Sequence, residues 1–302
     1  MGESIGYVGP GLMGKGIVKH LLAKGFPVMI YAHRDGMGLD ELVKAGASVT
    51  KSLADLAGKN TVVMLTVPSS KEVEALVLGT PGLLQGMRAG SVLIDLSTSL
   101  PASTRTLAAK LKERKVDMLD APMTGTPVHA HAGELNLMIG GDKAVYERCL
   151  PIFKAIAKNI IYCGGTSHGN IVKLINNFLG QLTNAGLAEV LPVAAKAGVD
   201  MKALFDVVKV SGGWSRWFEG TVPAICRRDF KVTFHLKLAL KDMTYVSALG
   251  REYNMPLPMV NQLVNVLDIA KASGLGDENS SALVKLWERM ANVEVRGEGV
   301  GQ

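Results

Sequence analysis

Two patterns of apolar and polar positions succeed one another along the 302 residues, with the change near residue 164. Before it, short apolar runs alternate with segments of helical period. After it, almost every segment repeats at helical spacing. The runs at 5–8, 26–31, 61–67, 91–95, 116–119, 134–139 and 160–163 predict strands. Between them, helical patterns are expected after Gly14 (Ile17, Val18, Leu21, Leu22), from Pro68-Ser69-Ser70, over 101–114 with Pro101 in the first turn, and over 142–157. From residue 164 one long helical pattern runs to about Gly198, with Pro192 inside it predicting a kink. Further helices are expected at 201–210 (capped by Asp200), 234–253, 259–272 and 279–292, and the glycine-rich tail from Val295 reads as frayed.

The long helical pattern carries a polar stripe. Positions four apart share a helix face, so Gly169, Lys173 and Asn177 line up, with Gln181 and Asn184 further along. The remaining faces carry Ile171, Val172, Leu174, Ile175, Phe178 and Leu179, which predicts a largely buried helix whose stripe meets something polar. A lysine held in such a place can act as a proton donor or acceptor.

At the other end of the chain, Gly9-Pro10-Gly11-Leu12-Met13-Gly14 follows the first strand and opens the first helix. Strand, Gly-x-Gly-x-x-Gly, helix, strand is the context in which this pattern binds a dinucleotide. The first glycine makes the tight turn, the second lets backbone approach a pyrophosphate, and the third lets helix and strand pack closely, with phosphate at the positive end of the helix. The expected fold is therefore α/β: a Rossmann dinucleotide-binding domain over residues 1–163 and an all-α domain over 164–302. The second strand ends at Tyr31-Ala32-His33-Arg34, with no acid before Asp35. An acid there would bind the 2′-hydroxyl of NAD, whereas His33 and Arg34 suit a 2′-phosphate. NADP(H) is thus the expected cofactor, with NAD(H) left open. Ligands of open α/β sheets gather beyond the carboxyl ends of strands, which places Val67-Pro68, Thr98 and Thr124-Gly125 around one crevice.

Composition narrows the class. The formal net charge is +6, suiting a small anionic substrate, but the basic residues form no block and do not interleave with aromatics, so nucleic acid is not an expected partner. Three cysteines without metal spacing fit a reducing cytoplasm. The strand pattern beginning by Ser4 predicts no signal peptide, no apolar run predicts a membrane span, and no metal-ligand cluster is seen.

Four stretches in this order resemble the β-hydroxyacid dehydrogenase family, which includes 3-hydroxyisobutyrate dehydrogenases and tartronate or succinic semialdehyde reductases. They are the glycine loop, Asp120-Ala121-Pro122-Met123-Thr124-Gly125, the set Gly169, Lys173, Asn176 and Asn177, and Lys241-Asp242 after Phe234. The match spans about residues 4–292. The resemblance implies that Gly9, Gly11, Leu12, Met13, Gly14, His33, Arg34, Val67, Pro68 and Thr98 hold the cofactor, with Lys241 closing over cofactor or substrate. It implies that Thr124, Gly125 and the adjoining Thr126 bind the substrate carboxylate, that Lys173 is the general acid/base and that Asn177 orients substrate. It also implies that the long helix joins the two domains as an interdomain helix, and a homodimer or homotetramer built on the helical domain. An imine reductase or a non-catalytic NADP-binding protein would share the scaffold; Lys173 counts against the first, and retained Lys173 and Asn177 with no extra reader domain count against the second. Two departures stand out: Thr126 replaces the family loop's second glycine, and His129 stands where glycine is usual. A β-branched residue resists the positive φ that glycine adopts, so the loop path and the accepted acids are expected to differ.

Overall fold

The computed structural model describes residues 2–34 and 36–301, so Asp35 lies outside the described residues. The chain divides into two compact units, Met1–Lys173 and Leu174–Gln302.

In the first unit, nine strands among the described residues form one sheet. They are β1 (Ile5–Val8), β2 (Val28–Tyr31), β3 (Ser48–Thr50), β4 (Val62–Leu65), β5 (Val92–Asp95), β6 (Asp117–Asp120), β7 (Met123–Thr124), β8 (Leu135–Gly141) and β9 (Ala157–Gly164). The order is β3-β2-β1-β4-β5-β6-β8-β7, with β9 also paired to β8. From β3 to β6 all pairs are parallel, the doubly wound Rossmann arrangement, while β8 runs antiparallel to β6 and β7. The helices are α1 (Leu12–Ala23), α2 (Asp40–Lys44), α3 (Leu53–Lys59), α4 (Ser70–Leu78), α5 (Leu83–Gly86), α6 (Pro101–Glu113), α7 (Pro127–Ala132), α8 (Lys143–Ile156) and the first turns of α9 (His168–Lys196).

Strand alternation builds a core on each face. Ile5, Tyr7, Val62, Met64, Val92 and Ile94 pack with Ile17 and Leu21 of α1 and Phe153 of α8. Val8, Val63, Leu65 and Leu93 face the other way, onto Leu56, Val77, Leu83 and Leu107. Burial on both faces is why these strands read as unbroken apolar runs.

The second unit is helical: the rest of α9, then α10 (Met201–Lys209), α11 (Arg216–Cys226), α12 (Leu236–Glu252), α13 (Pro258–Ala270) and α14 (Val284–Ala291). Asp200 caps α10 through the amides of Lys202 and Ala203. Two expectations are corrected. The tail does not fray: Val295 and Val300 are buried in this unit's core, and the Val295 amide donates to Glu288 Oε1 at 2.8 Å. Nor is α9 buried all round, since Val172, Ile175, Leu179, Val190 and Val193 are exposed. At a spacing of three or four, with a gap over 180–189, these make an apolar stripe open to solvent. The helix continues through Pro192 to Lys196.

Candidate active site

The glycine loop divides its labour as the pattern requires. Gly9 has φ +88°, and a Cβ there would lie 2.0 Å from the Thr66 carbonyl oxygen, so only glycine permits the turn. A Cβ on Gly14 would lie 2.4 Å from the Gly9 oxygen and 3.0 Å from the buried Tyr7 ring. Gly11 is exposed, with open space around its Cβ position, and no side chain caps the start of α1. The first-turn amides, flanked by exposed Leu12 and half-buried Met13, thus form an electropositive cradle that fits a pyrophosphate. Beyond β2, His33 and Arg34 are exposed, and Lys15 Nζ reaches within 3.1 Å of the space beside Gly38. The lysine is a second cation at this loop that the sequence pattern did not single out.

Two buried carboxylates sit in adjacent register at the ends of β5 and β6, Asp95 opposite Asp120. Asp95 Oδ1 accepts from the Ser97 amide at 2.8 Å and Oδ2 from the Ser99 hydroxyl at 2.6 Å. The Ser97 hydroxyl in turn accepts from the Val67 amide at 3.0 Å. Half-buried Thr98 is thereby held between two anchored serines, one of which also binds the Val67 amide, and the next residue, Pro68, is exposed.

Asp120 ties down the start of α9. Its Oδ1 accepts from the Ser167 amide at 2.7 Å and its Oδ2 from the Asn170 amide at 2.8 Å. Burial pushes its carboxyl up to about 6, against those two amide bonds and with help from the charge of Asp95. Asn170, fully buried, accepts from the Ser99 amide at 2.9 Å and donates to Thr104 Oγ1 at 3.2 Å. Ser167, at φ +74°, takes a bond from Arg105 Nη1 at 2.8 Å. This explains why the first compact unit extends to Lys173, inside the helix. Gly169, aligned with Lys173 and Asn177 on the stripe, is a close-packing position, with a Cβ meeting the Met138 oxygen at 2.3 Å. Lys173 follows one turn later, half-buried.

The substrate loop begins on β7. Half-buried Thr124 accepts at Oγ1 from Asn136 Nδ2 at 3.1 Å. Exposed Gly125 has φ +122°, but Thr126 has φ −108°, so the threonine suits a path that needs no glycine at this second position. Thr126 caps α7, and His129 Nδ1 folds back to its amide (3.2 Å) and hydroxyl (2.9 Å). The two departures from the family loop therefore pair with each other.

In the second unit, the helical stripe meets side chains and backbone. Asn177 donates to Asp242 Oδ2 at 2.6 Å, and Asn184 donates to the Ser280 carbonyl at 2.9 Å. Asp242, buried on α12, also pairs with Lys241 Nζ at 3.0 Å through Oδ1, and Lys241 lies 4.9 Å from the Tyr245 ring centre. Asn177 is thus fixed by Asp242. The sequence motifs included Asp120 but gave it no role, and Asn170 and Asn136 were not singled out; an aspartate before Ala-Pro and an asparagine beside Gly169 were the available signals.

A Rossmann sheet with an open glycine loop, followed by a helical unit, is an architecture found among nicotinamide-dinucleotide oxidoreductases. Residues 4–165 match the NAD binding domain of 6-phosphogluconate dehydrogenase, and residues 167–287 match the NAD-binding domain of NADP-dependent 3-hydroxyisobutyrate dehydrogenase. The chain is 33% identical to 2-(hydroxymethyl)glutarate dehydrogenase of Eubacterium barkeri, over 97% of each. It is 32% identical to L-threonate dehydrogenase of Cupriavidus necator, over 95% of this chain and 97% of that one. A solved 3-hydroxyisobutyrate dehydrogenase of Salmonella typhimurium superposes with a TM-score of 0.83 at 28% identity, covering 94% of this chain and 99% of that one. The chain belongs to the β-hydroxyacid dehydrogenase family, and it is an NAD(P)-dependent hydroxyacid dehydrogenase. Among the described residues no helix is long and apolar enough to cross a membrane.

Proposed function

We propose that this enzyme interconverts a small β-hydroxy acid and its semialdehyde with NADP(H), using Lys173 as general acid/base. The observation that carries the reading is the anchoring of α9. Asp120 and Asn170 pin its first turn to the ends of β5 and β6, the sheet edge that also bears the glycine loop and Thr98, and Lys173 stands on the next turn. When bound, the nicotinamide supplies or accepts the hydride. In reduction, negative charge grows on the carbonyl oxygen; the Lys173 ammonium stabilises it and passes a proton to it. In oxidation, neutral Lys173 takes the hydroxyl proton. Asn177, one turn beyond Lys173 and held by Asp242, orients the substrate, and Thr124 and Gly125 grip its anionic group, with Thr126 shaping the loop. Arg34, His33 and Lys15 favour the 2′-phosphate of NADP, and Lys241 closes on cofactor or substrate. The exposed apolar stripe of α9 supports a homo-oligomer, and three unpaired thiols support a cytoplasmic setting.

The test is Lys173→Ala, assayed by nicotinamide absorbance on a panel of acids that includes 2-(hydroxymethyl)glutarate, L-threonate and 3-hydroxyisobutyrate. Loss of this acid/base is expected to lower kcat by roughly 10²–10⁴-fold while NADPH still binds. Near-normal turnover would overturn the mechanism.

A further inference from the structure

Thr124, Asn136 and Asn159 lie at one level of three adjacent strands. Thr124 on β7 is the register partner of Asn136 on β8, and Asn136 is the register partner of Asn159 on β9. Such opposed side chains meet directly across a sheet. Here they form a directed chain: Asn159 Nδ2 donates to Asn136 Oδ1 at 2.6 Å, and Asn136 Nδ2 donates to Thr124 Oγ1 at 3.1 Å. The direction matters because a hydroxyl has one proton and two lone pairs. With the Asn136 amide hydrogen on a lone pair, the Thr124 proton is left to donate. Were the Asn136 carboxamide turned over, its oxygen would take that proton, and Thr124 would present only lone pairs to an anion.

We propose that Asn136, supported by Asn159, is a positioning residue that makes the Thr124 hydroxyl a hydrogen-bond donor toward the substrate's carboxylate. The inference rests on the reading of Thr124 as an anion grip. Neither asparagine has to touch the substrate. Asn136 acts by polarity, and Asn159, exposed on the outer strand, by completing its orientation. A hydrogen bond to a charged group turned from attractive to repulsive changes affinity by roughly 10–100-fold.

The experiment measures malonate, a small dicarboxylate probe, binding to the NADP⁺-loaded protein by calorimetry. The decisive variant is Asn159→Asp. An aspartate accepts but does not donate, so it draws Asn136 Nδ2 toward itself and turns the Asn136 oxygen onto Thr124. Malonate binding is expected to weaken roughly 10–100-fold, with the Kd for NADP⁺ unchanged. Thr124→Val should weaken it comparably, and adding Asn159→Asp to Thr124→Val should cost little more, since the two act through one hydroxyl. The last comparison separates the relay from plain repulsion by the added charge. If Asn159→Asp leaves malonate affinity unaltered, or weakens it as much in the Thr124→Val background, the relay is overturned. If malonate fails to bind the unaltered protein, or Thr124→Val has no effect, the anion grip itself falls, and the relay with it.

Discussion

Gly169→Ala tests the anchoring of the catalytic helix with one methyl group. The added Cβ would lie 2.3 Å from the Met138 oxygen, 2.8 Å from the Asp120 oxygen and 2.9 Å from Asp120 Oδ2. A carbon–oxygen contact needs about 3.3 Å, so the start of α9 must retreat by about 1 Å. Two of the three obstructing atoms are backbone, so no rotamer change relieves the clash. The retreat stretches the Ser167 and Asn170 amide bonds to Asp120, now 2.7 and 2.8 Å. Bonds to a charged group contribute roughly 1.5–3 kcal/mol each. Alanine's better helix propensity returns only about 1 kcal/mol. The net expectation is a loss of roughly 3 kcal/mol, seen as a fall of roughly 6–12 °C in the melting of the first unit. Lys173, on the next turn, is displaced with the helix, and a misplacement of about 1 Å is expected to lower kcat/KM roughly 100-fold. Calorimetric melting, steady-state kinetics and NADPH titration on the same variant give all three readings. An unaltered Tm together with unaltered kcat/KM would refute the anchoring argument.

Other expectations follow from the same site. Asp120 has its folded pKa raised from 3.8 to about 6, so the folded protein holds the extra proton between those values and the unfolded chain does not. Its contribution to stability therefore falls as pH rises from about 4 to about 6, by up to roughly 3 kcal/mol. Urea unfolding across that range should show this slope in the unaltered protein and not in Asp120→Asn; parallel curves would contradict it. Arg34→Ala is expected to raise the KM for NADP and leave that for NAD unchanged, because only the 2′-phosphate needs the cation; a higher kcat/KM with NAD in the unaltered enzyme would defeat the reading. Thr126→Gly and His129→Gly each break the same loop pair, so both should shift the ranking of acids in the same sense, with 3-hydroxyisobutyrate gaining; an unchanged ranking would show that the pair does not set specificity.

Much of this protein was legible along the chain. Unbroken apolar runs marked the parallel strands because helices cover both faces, and the glycine pattern marked the dinucleotide loop because only glycine tolerates the turn at Gly9 and the contact at Gly14. Helical spacing placed Lys173 and Asn177 one turn apart. The short strands β3 and β7 and the helices α2, α3, α5 and α7 escaped notice, since three or fewer strand residues, or two helical turns or fewer, are too brief to show a period. The eleven-residue α11 escaped too, because Gly220 and Pro223 interrupt its pattern. Local spacing records which face of an element is buried, not which distant groups meet there. That Asp120 would reach Ser167 and Asn170, 47 and 50 residues away, that Gly169 would press on Met138, and that Thr124, Asn136 and Asn159 would share one level of the sheet all depend on strand order and register. Only tertiary structure decided them, because a buried carboxylate or amide takes its partners from whatever the fold brings within about 3 Å of it.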